Sequence, residues 1–355
     1  MYENTNQTTI PFTNRNPLVG PVGPSGLLAS AARPSFVPPP LPPIYDTPDM
    51  APKELENYIH DHGIIGQDAA VKTAALILYR HFTMRNASVS LFCGPTGCGK
   101  TQIWRVLANE FHQIHIFDSS NLSNEGWRGS NKISYHFRSI RPEYREHSIL
   151  VFDEFDKLLE PKSSNNTNYT EMIQNDLLKL FDHDILYFGP ENANDQPLTV
   201  DCKNVSIVLL GAFENLLKAK STHKTAAGFG AQSRPKDLTY ADVRISTDDL
   251  LNFTEIRPEI AGRIDRVVSM NPLQATDYYR ILLRYIDDLS KRTGTNFTID
   301  PNTLQAIAEK AINKPLGARW AIHQANHIID KMIYENPFEN NYVYTDNDER
   351  TGDPT

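Results

Sequence analysis

Hydrophobic and polar positions follow two periods along the chain. Ala70, Ala74, Leu78 and Phe82 recur at helical spacing and predict a helix over 67–82. A shorter helix with proline in its first turn is expected from Pro52. Ile103, Leu107 and Phe111 repeat at i, i+4 and i+8 and predict another. Around these lie short apolar runs: Ala87 to Cys93, Ile114 to Phe117, Ser148 to Phe152 and Val205 to Phe213. Runs of this length read as buried strands, and strands alternating with helices predict βαβ units in a mostly parallel sheet. Past Pro272 the pattern is helical, over 278–292, 301–312 and 317–334. The expected fold class is therefore α/β. A parallel sheet flanked by helices occupies 51–271, and a small α-helical domain occupies 272–338. From Glu339 onward a polar tail, 339–355, is expected to fray.

Proline changes the picture at the other end. Eleven of the 24 prolines fall before residue 50. Proline fixes φ and lacks a backbone donor, so residues 1–50 read as an extended, polyproline-rich leader. It is either a flexible segment or a docking arm for a partner. The 40% apolar content is enough for a sizeable core, and 43 acidic against 35 basic residues give a net charge of −8. That balance argues against nonspecific nucleic-acid or anionic-membrane binding. Three cysteines, Cys93, Cys98 and Cys202, are too few for a disulfide framework and fit a reducing, cytoplasmic setting. The N-terminus shows no secretory pattern, and the longest apolar run is far short of the ~20 residues that span a bilayer.

The chemistry concentrates in Gly94-Pro95-Thr96-Gly97-Cys98-Gly99-Lys100-Thr101, which follows a predicted strand and opens a predicted helix. Glycines let backbone N–H groups turn toward phosphates, and the helix N-terminus adds positive character. Lys100 would reach the β- and γ-phosphates of ATP, and the Thr101 hydroxyl would ligate Mg²⁺. A second signal, Ile149-Leu-Val-Phe-Asp153-Glu154, is an apolar strand ending in two acids. Asp153 would hold Mg²⁺, directly or through water, and Glu154 would polarise a water for attack on the γ-phosphate. Positive charge opposite that phosphate has two candidates, Arg263 and Arg319.

These pieces together resemble the AAA+ protein unfoldases of the Clp family, ClpX foremost and HslU next. The resemblance runs from about Pro52 to Glu335. Ile64-Ile65-Gly66-Gln67 is similar to the family's nucleotide-cradling box, and Gly94 to Thr101 to its phosphate loop, with Cys98 where serine is usual. Phe152 to Lys157 resembles its acidic strand end. Leu177 to Leu180 and Gly211 to Phe213 match further stretches. Pro258 to Arg263 resembles the box bearing the arginine finger, and Gly317 to Arg319 the sensor-2 box. The resemblance implies a P-loop AAA+ domain with a helical lid, and an ATPase whose six copies close into a homohexameric ring. Arg263 would complete a neighbour's site, and pore loops would translocate unfolded or tagged proteins. Gly126-Trp127-Arg128-Gly129 stands where the family has its gripping loop.

The departures are informative too. The family's zinc-binding N-terminal domain has no counterpart, and the proline-rich leader stands in its place. Ala227-Gly228-Phe229 stands where an aliphatic-Gly-Phe tip docks a ClpP-like peptidase. Phe188 to Asp195 is acidic where the family has a basic pore loop, and no polar sensor-1 side chain stands at Gly211. A nucleic-acid motor or loader is the rival reading. Arg128, Lys132, Arg138 and Arg141 supply charge near the loop for it, and the net acidity and Trp127 argue against it. A third reading is a non-motor interaction protein acting through the leader.

Overall fold

A computed structural model describes residues 50–125, 131–160, 163–164, 167–190, 196–226 and 245–345. The proline-rich leader, the loop tip with Trp127 and Arg128, the Ala227-Gly228-Phe229 segment and the end of the tail lie outside the described residues.

Five parallel strands form the central sheet: β1 (Val89–Cys93), β2 (Ile114–Asp118), β3 (Ile149–Asp153), β4 (Ser206–Gly211) and β5 (Arg266–Ser269). Their spatial order is β2-β3-β4-β1-β5. Every residue of β1 and β4 is buried, as expected of strands covered on both faces. Side chains alternate between two cores. Leu91, Leu150, Phe152 and Leu209 enter one, and Phe92, Val151, Val208 and Leu210 enter the other. Helices α1 (Pro52–Asp61), α2 (Asp68–Met84) and α3 (Lys100–Glu110) cover the second core with Leu55, Ile59, Leu78, Trp104 and Leu107. The edge strand β5 carries no apolar run long enough to announce itself. It is four half-buried residues, Arg-Val-Val-Ser, held by pairing with β1.

A third core begins at Leu273. Helices α4 (Ala275–Thr293), α5 (Pro301–Ala311) and α6 (Ala318–Glu335) build it with Leu282, Leu304, Ala308, Ala321 and Ile329. It also contains two strands, β6 (Asn296–Ile299) and β7 (Asn341–Tyr344), paired in parallel. The expectation that the chain frays from Glu339 is therefore corrected for 341–344. Tyr342 and Tyr344 alternate with polar neighbours, and both are buried opposite Phe297 and Ile299. The Tyr342 ring stacks on Phe297 with centroids 5.3 Å apart, and its hydroxyl donates to the Asn336 carbonyl at 2.8 Å. Among the described residues, no helix is long and apolar enough to cross a membrane.

Candidate active site

In a parallel sheet the strand ends point one way, so β1 and β3 deliver their C-terminal residues to one edge. The chain leaves β1 through Gly94–Gly99 and enters α3 at Lys100. Gly97 has φ +80, a conformation that costs glycine little, and a methyl there would meet the Leu316 carbonyl oxygen at 2.9 Å. The loop thus lies directly against the turn that starts α6. The Lys100 ammonium donates to the carbonyls of Gly94 and Pro95, at 2.7 and 2.9 Å. Gly94 itself packs on Met270. Cys98 is buried, and burial pushes its thiol above the ordinary range.

The Thr101 hydroxyl, in the first turn of α3, faces the Asp153 carboxylate at the end of β3. It lies 3.1 and 3.0 Å from the two oxygens. A hydroxyl and a carboxylate so placed are hard oxygen donors of the kind Mg²⁺ takes. Glu154 follows in a left-handed conformation, φ 57, with its N–H on Asp153 Oδ1 at 3.1 Å. A non-glycine residue held there is strained backbone of the sort that clusters at functional sites. Partial burial raises the Glu154 pKa above the usual carboxylate value. Asp118, Asp153 and Asp156 add to the rise, and Lys157 opposes it. Asp118 is the register partner of Asp153 on β2.

These groups open on a cleft of about 450 Å³ between the sheet edge and the third core. Ile65, Thr96, Gly97, Cys98, Gly99, Lys100, Thr101, Asp153, Glu154 and Arg319 all line it. Gly94 and Pro95 act behind it, through the carbonyls that hold Lys100. Arg263 stands apart from the cleft, with its guanidinium on Asp182 and on the Glu259 carbonyl. Trp127 and Arg128 lie outside the described residues.

Several contributors were not singled out from sequence. Asp156 lines the cleft and accepts the Phe213 N–H at 3.1 Å, which fixes the backbone just past Gly211 and Ala212. Arg284, Tyr285 and Asp288 face the cleft from α4. Their signal was only the helical spacing of Ile281, Tyr285 and Asp288. Gln67, placed by sequence in the nucleotide-cradling box, turns elsewhere. Its amide donates to the Asn271 carbonyl at 2.6 Å and accepts the Asn271 N–H at 3.2 Å, bridging to the segment that leads into the third core.

Residues 90–212 match the AAA family, described as the ATPase family associated with various cellular activities. The chain is similar to the ATP-dependent Clp protease ATP-binding subunit ClpX of Treponema denticola, 28% identical over 327 residues. That match covers 81% of this chain and 77% of the relative. The protein of the same name from Bacteroides fragilis is 27% identical over 331 residues, covering 82% and 79%. That from Borrelia duttonii is 26% identical over 328 residues, covering 81% and 74%.

Proposed function

From the premise that the chain is a ClpX-like AAA+ ATPase, we propose that it is a ring-forming protein unfoldase. Six copies close a ring by head-to-tail contacts. ATP binds in the cleft, and Arg263 reaches the γ-phosphate held by the adjacent subunit. The loop with Trp127 and Arg128 grips an unfolded polypeptide in the central pore. A large aromatic at a loop tip offers broad, sequence-tolerant contact.

The observation that carries this reading is the Thr101–Asp153 pair, set beside Lys100 and Glu154 in one cleft with Arg319. Loop N–H groups and Lys100 take the β- and γ-phosphates, the ammonium exchanging the carbonyls of Gly94 and Pro95 for phosphate oxygens. Thr101 and Asp153 fit Mg²⁺, which when bound neutralises charge on the phosphate oxygens. Glu154 takes the proton of the attacking water, and its raised pKa improves it as a base. Arg319 comes from α6 in the third core, so its contact with the γ-phosphate ties hydrolysis to the angle between cores.

The relatives' name makes them subunits of a protease. For this chain, delivery to a peptidase depends on Ala227-Gly228-Phe229, where alanine shortens the aliphatic end of a docking tip. The test is ATP-dependent loss of fluorescence from a tagged, folded fluorescent protein. Unfolding by the wild-type chain and none by Glu154→Gln is the expected result. ATP turnover by the wild type without unfolding of any tagged substrate counts against the unfoldase reading. Copurification of a peptidase ring with the Glu154→Gln form decides the docking question.

A further inference from the structure

The two walls of the cleft also meet at the end of α1. Helix α1 ends at Asp61, and the last four carbonyls of any helix lack donors from within it. Three of the four are filled by the residues that follow. His62 N–H donates to Tyr58, Gly63 N–H to His60 and Ile64 N–H to Ile59. The fourth, the Asp61 carbonyl, is filled from the third core, by Arg284 Nη2 at 2.5 Å. A helix C-terminus carries partial negative charge, so a guanidinium there is favoured twice, as donor and as cation.

The approach is built into the backbone. Gly63 has φ +107, and a methyl on it would lie 3.0 Å from Arg284 Nε and 3.4 Å from Cζ. Any other residue would be strained in that conformation and would also push the guanidinium away. On its other side, Arg284 Nε faces Asp288 Oδ2 at 3.8 Å, one helical turn along α4. His62, Gly63, Arg284, Tyr285 and Asp288 all line the cleft, so this bridge borders it. Near the connection between the cores, Gln67 joins Asn271 through neutral bonds. At the phosphate end, Gly97 meets the Leu316 backbone. The Arg284–Asp61 bridge is charge-assisted and half-exposed. It is strong enough to hold and accessible enough to open.

We propose that Arg284 is a positioning residue for nucleotide retention, a latch that ties the third core to the end of α1 and slows escape of the bound nucleotide. The proposal rests on the nucleotide reading of the cleft. Opening the latch separates the walls without touching Lys100, Thr101, Asp153 or Glu154, so it acts on release more than on bond breaking. Salt weakens a half-exposed charged contact, so release from the wild type also becomes faster as ionic strength rises.

The test is stopped-flow release of a fluorescent ADP analogue from the full chain. Arg284→Met keeps the apolar stem over Gly63 and removes the charge. Release should be about tenfold faster, with its salt dependence flattened. Arg284→Lys should restore part of the retention, because an ammonium donates at one point without the planar fork. Gly63→Ala leaves Arg284 in the chain and displaces it, and should accelerate release as well. In steady-state hydrolysis, KM for ATP should rise by a larger factor than kcat changes. Release from Arg284→Met at the wild-type rate, with salt dependence intact, overturns the latch and leaves the nucleotide site standing. A wild-type chain that binds no nucleotide analogue overturns the reading of the cleft, and the latch with it.

Discussion

At the scale of single residues, the proposed site would separate charge binding from proton transfer. Thr101 and Asp153 face each other and provide the oxygen pair, while Glu154 one position on is partly desolvated beside three other carboxylates. Glu154→Gln keeps shape and removes the proposed base. It should bind ATP with near-normal affinity and lose about 10²–10⁴-fold in kcat, as measured by phosphate release. Near-normal turnover in that variant would remove Glu154 from the base role. Lys100, Thr101, Asp153 and Glu154 were legible in sequence for a physical reason. A tight phosphate loop and a strand end each need their residue types consecutively, so the signal is local. Asp156, Arg284 and Gln67 were not, because their roles depend on partners 57, 223 and 204 residues away in the chain. No local pattern encodes such a meeting.

At the scale of elements, the long buried strands and periodic helices were legible, and the short pieces were not. Residues 341–344 illustrate why. Asn-Tyr-Val-Tyr lies in a polar neighbourhood, and its alternation spans only four residues. What makes it a strand is the presence of β6, whose Phe297 and Ile299 face Tyr342 and Tyr344 in register. Strand β5 was equally silent, because an edge strand need not be apolar throughout. The tyrosines make the element testable. Tyr342→Ala removes a buried ring stacked on Phe297 and leaves the Asn336 carbonyl without its phenolic donor. It should cost about 3–5 kcal/mol of stability, the range for deleting a large buried aromatic. Chemical denaturation followed by near-ultraviolet circular dichroism measures it. A cost within about 0.5 kcal/mol, as at an exposed site, would return 341–344 to a frayed tail.

At the scale of the whole molecule, two properties depend on how elements assemble. The first is stability against pH. His81 on α2 is buried between β4 and the residue chain leading to β3. Its Nε2 donates to the His147 carbonyl at 3.1 Å, so its Nδ1 is the acceptor for the Ser206 hydroxyl at 2.9 Å. Burial holds its pKa down, at about 4, and burial likewise holds His115 down at about 4. Both folded values lie below the unfolded value near 6.5. The fold therefore prefers both rings neutral. Their contribution is fully present above about pH 6.5 and is lost as pH falls toward 4, at most on the order of 3 kcal/mol for each ring. Thermal midpoints should fall over that window, and His81→Gln should flatten the dependence. An unchanged profile in that variant would mean that the fold does not hold the His81 pKa down. The second belongs to the proposed ring, in which one active site would be divided between two subunits. Arg263 is anchored to Asp182 and Glu259 away from its own cleft, so in the proposed ring it would serve the next one. Glu154→Gln and Arg263→Ala should each be inactive alone. Mixed before assembly, a subunit with intact Glu154 gains activity wherever its neighbour supplies an intact Arg263. Random equal mixing makes that pairing at about one interface in four, so the mixture should recover up to about a quarter of wild-type turnover. If Arg263 instead served its own cleft, every subunit in the mixture would carry a defective site, and no activity would return at any ratio.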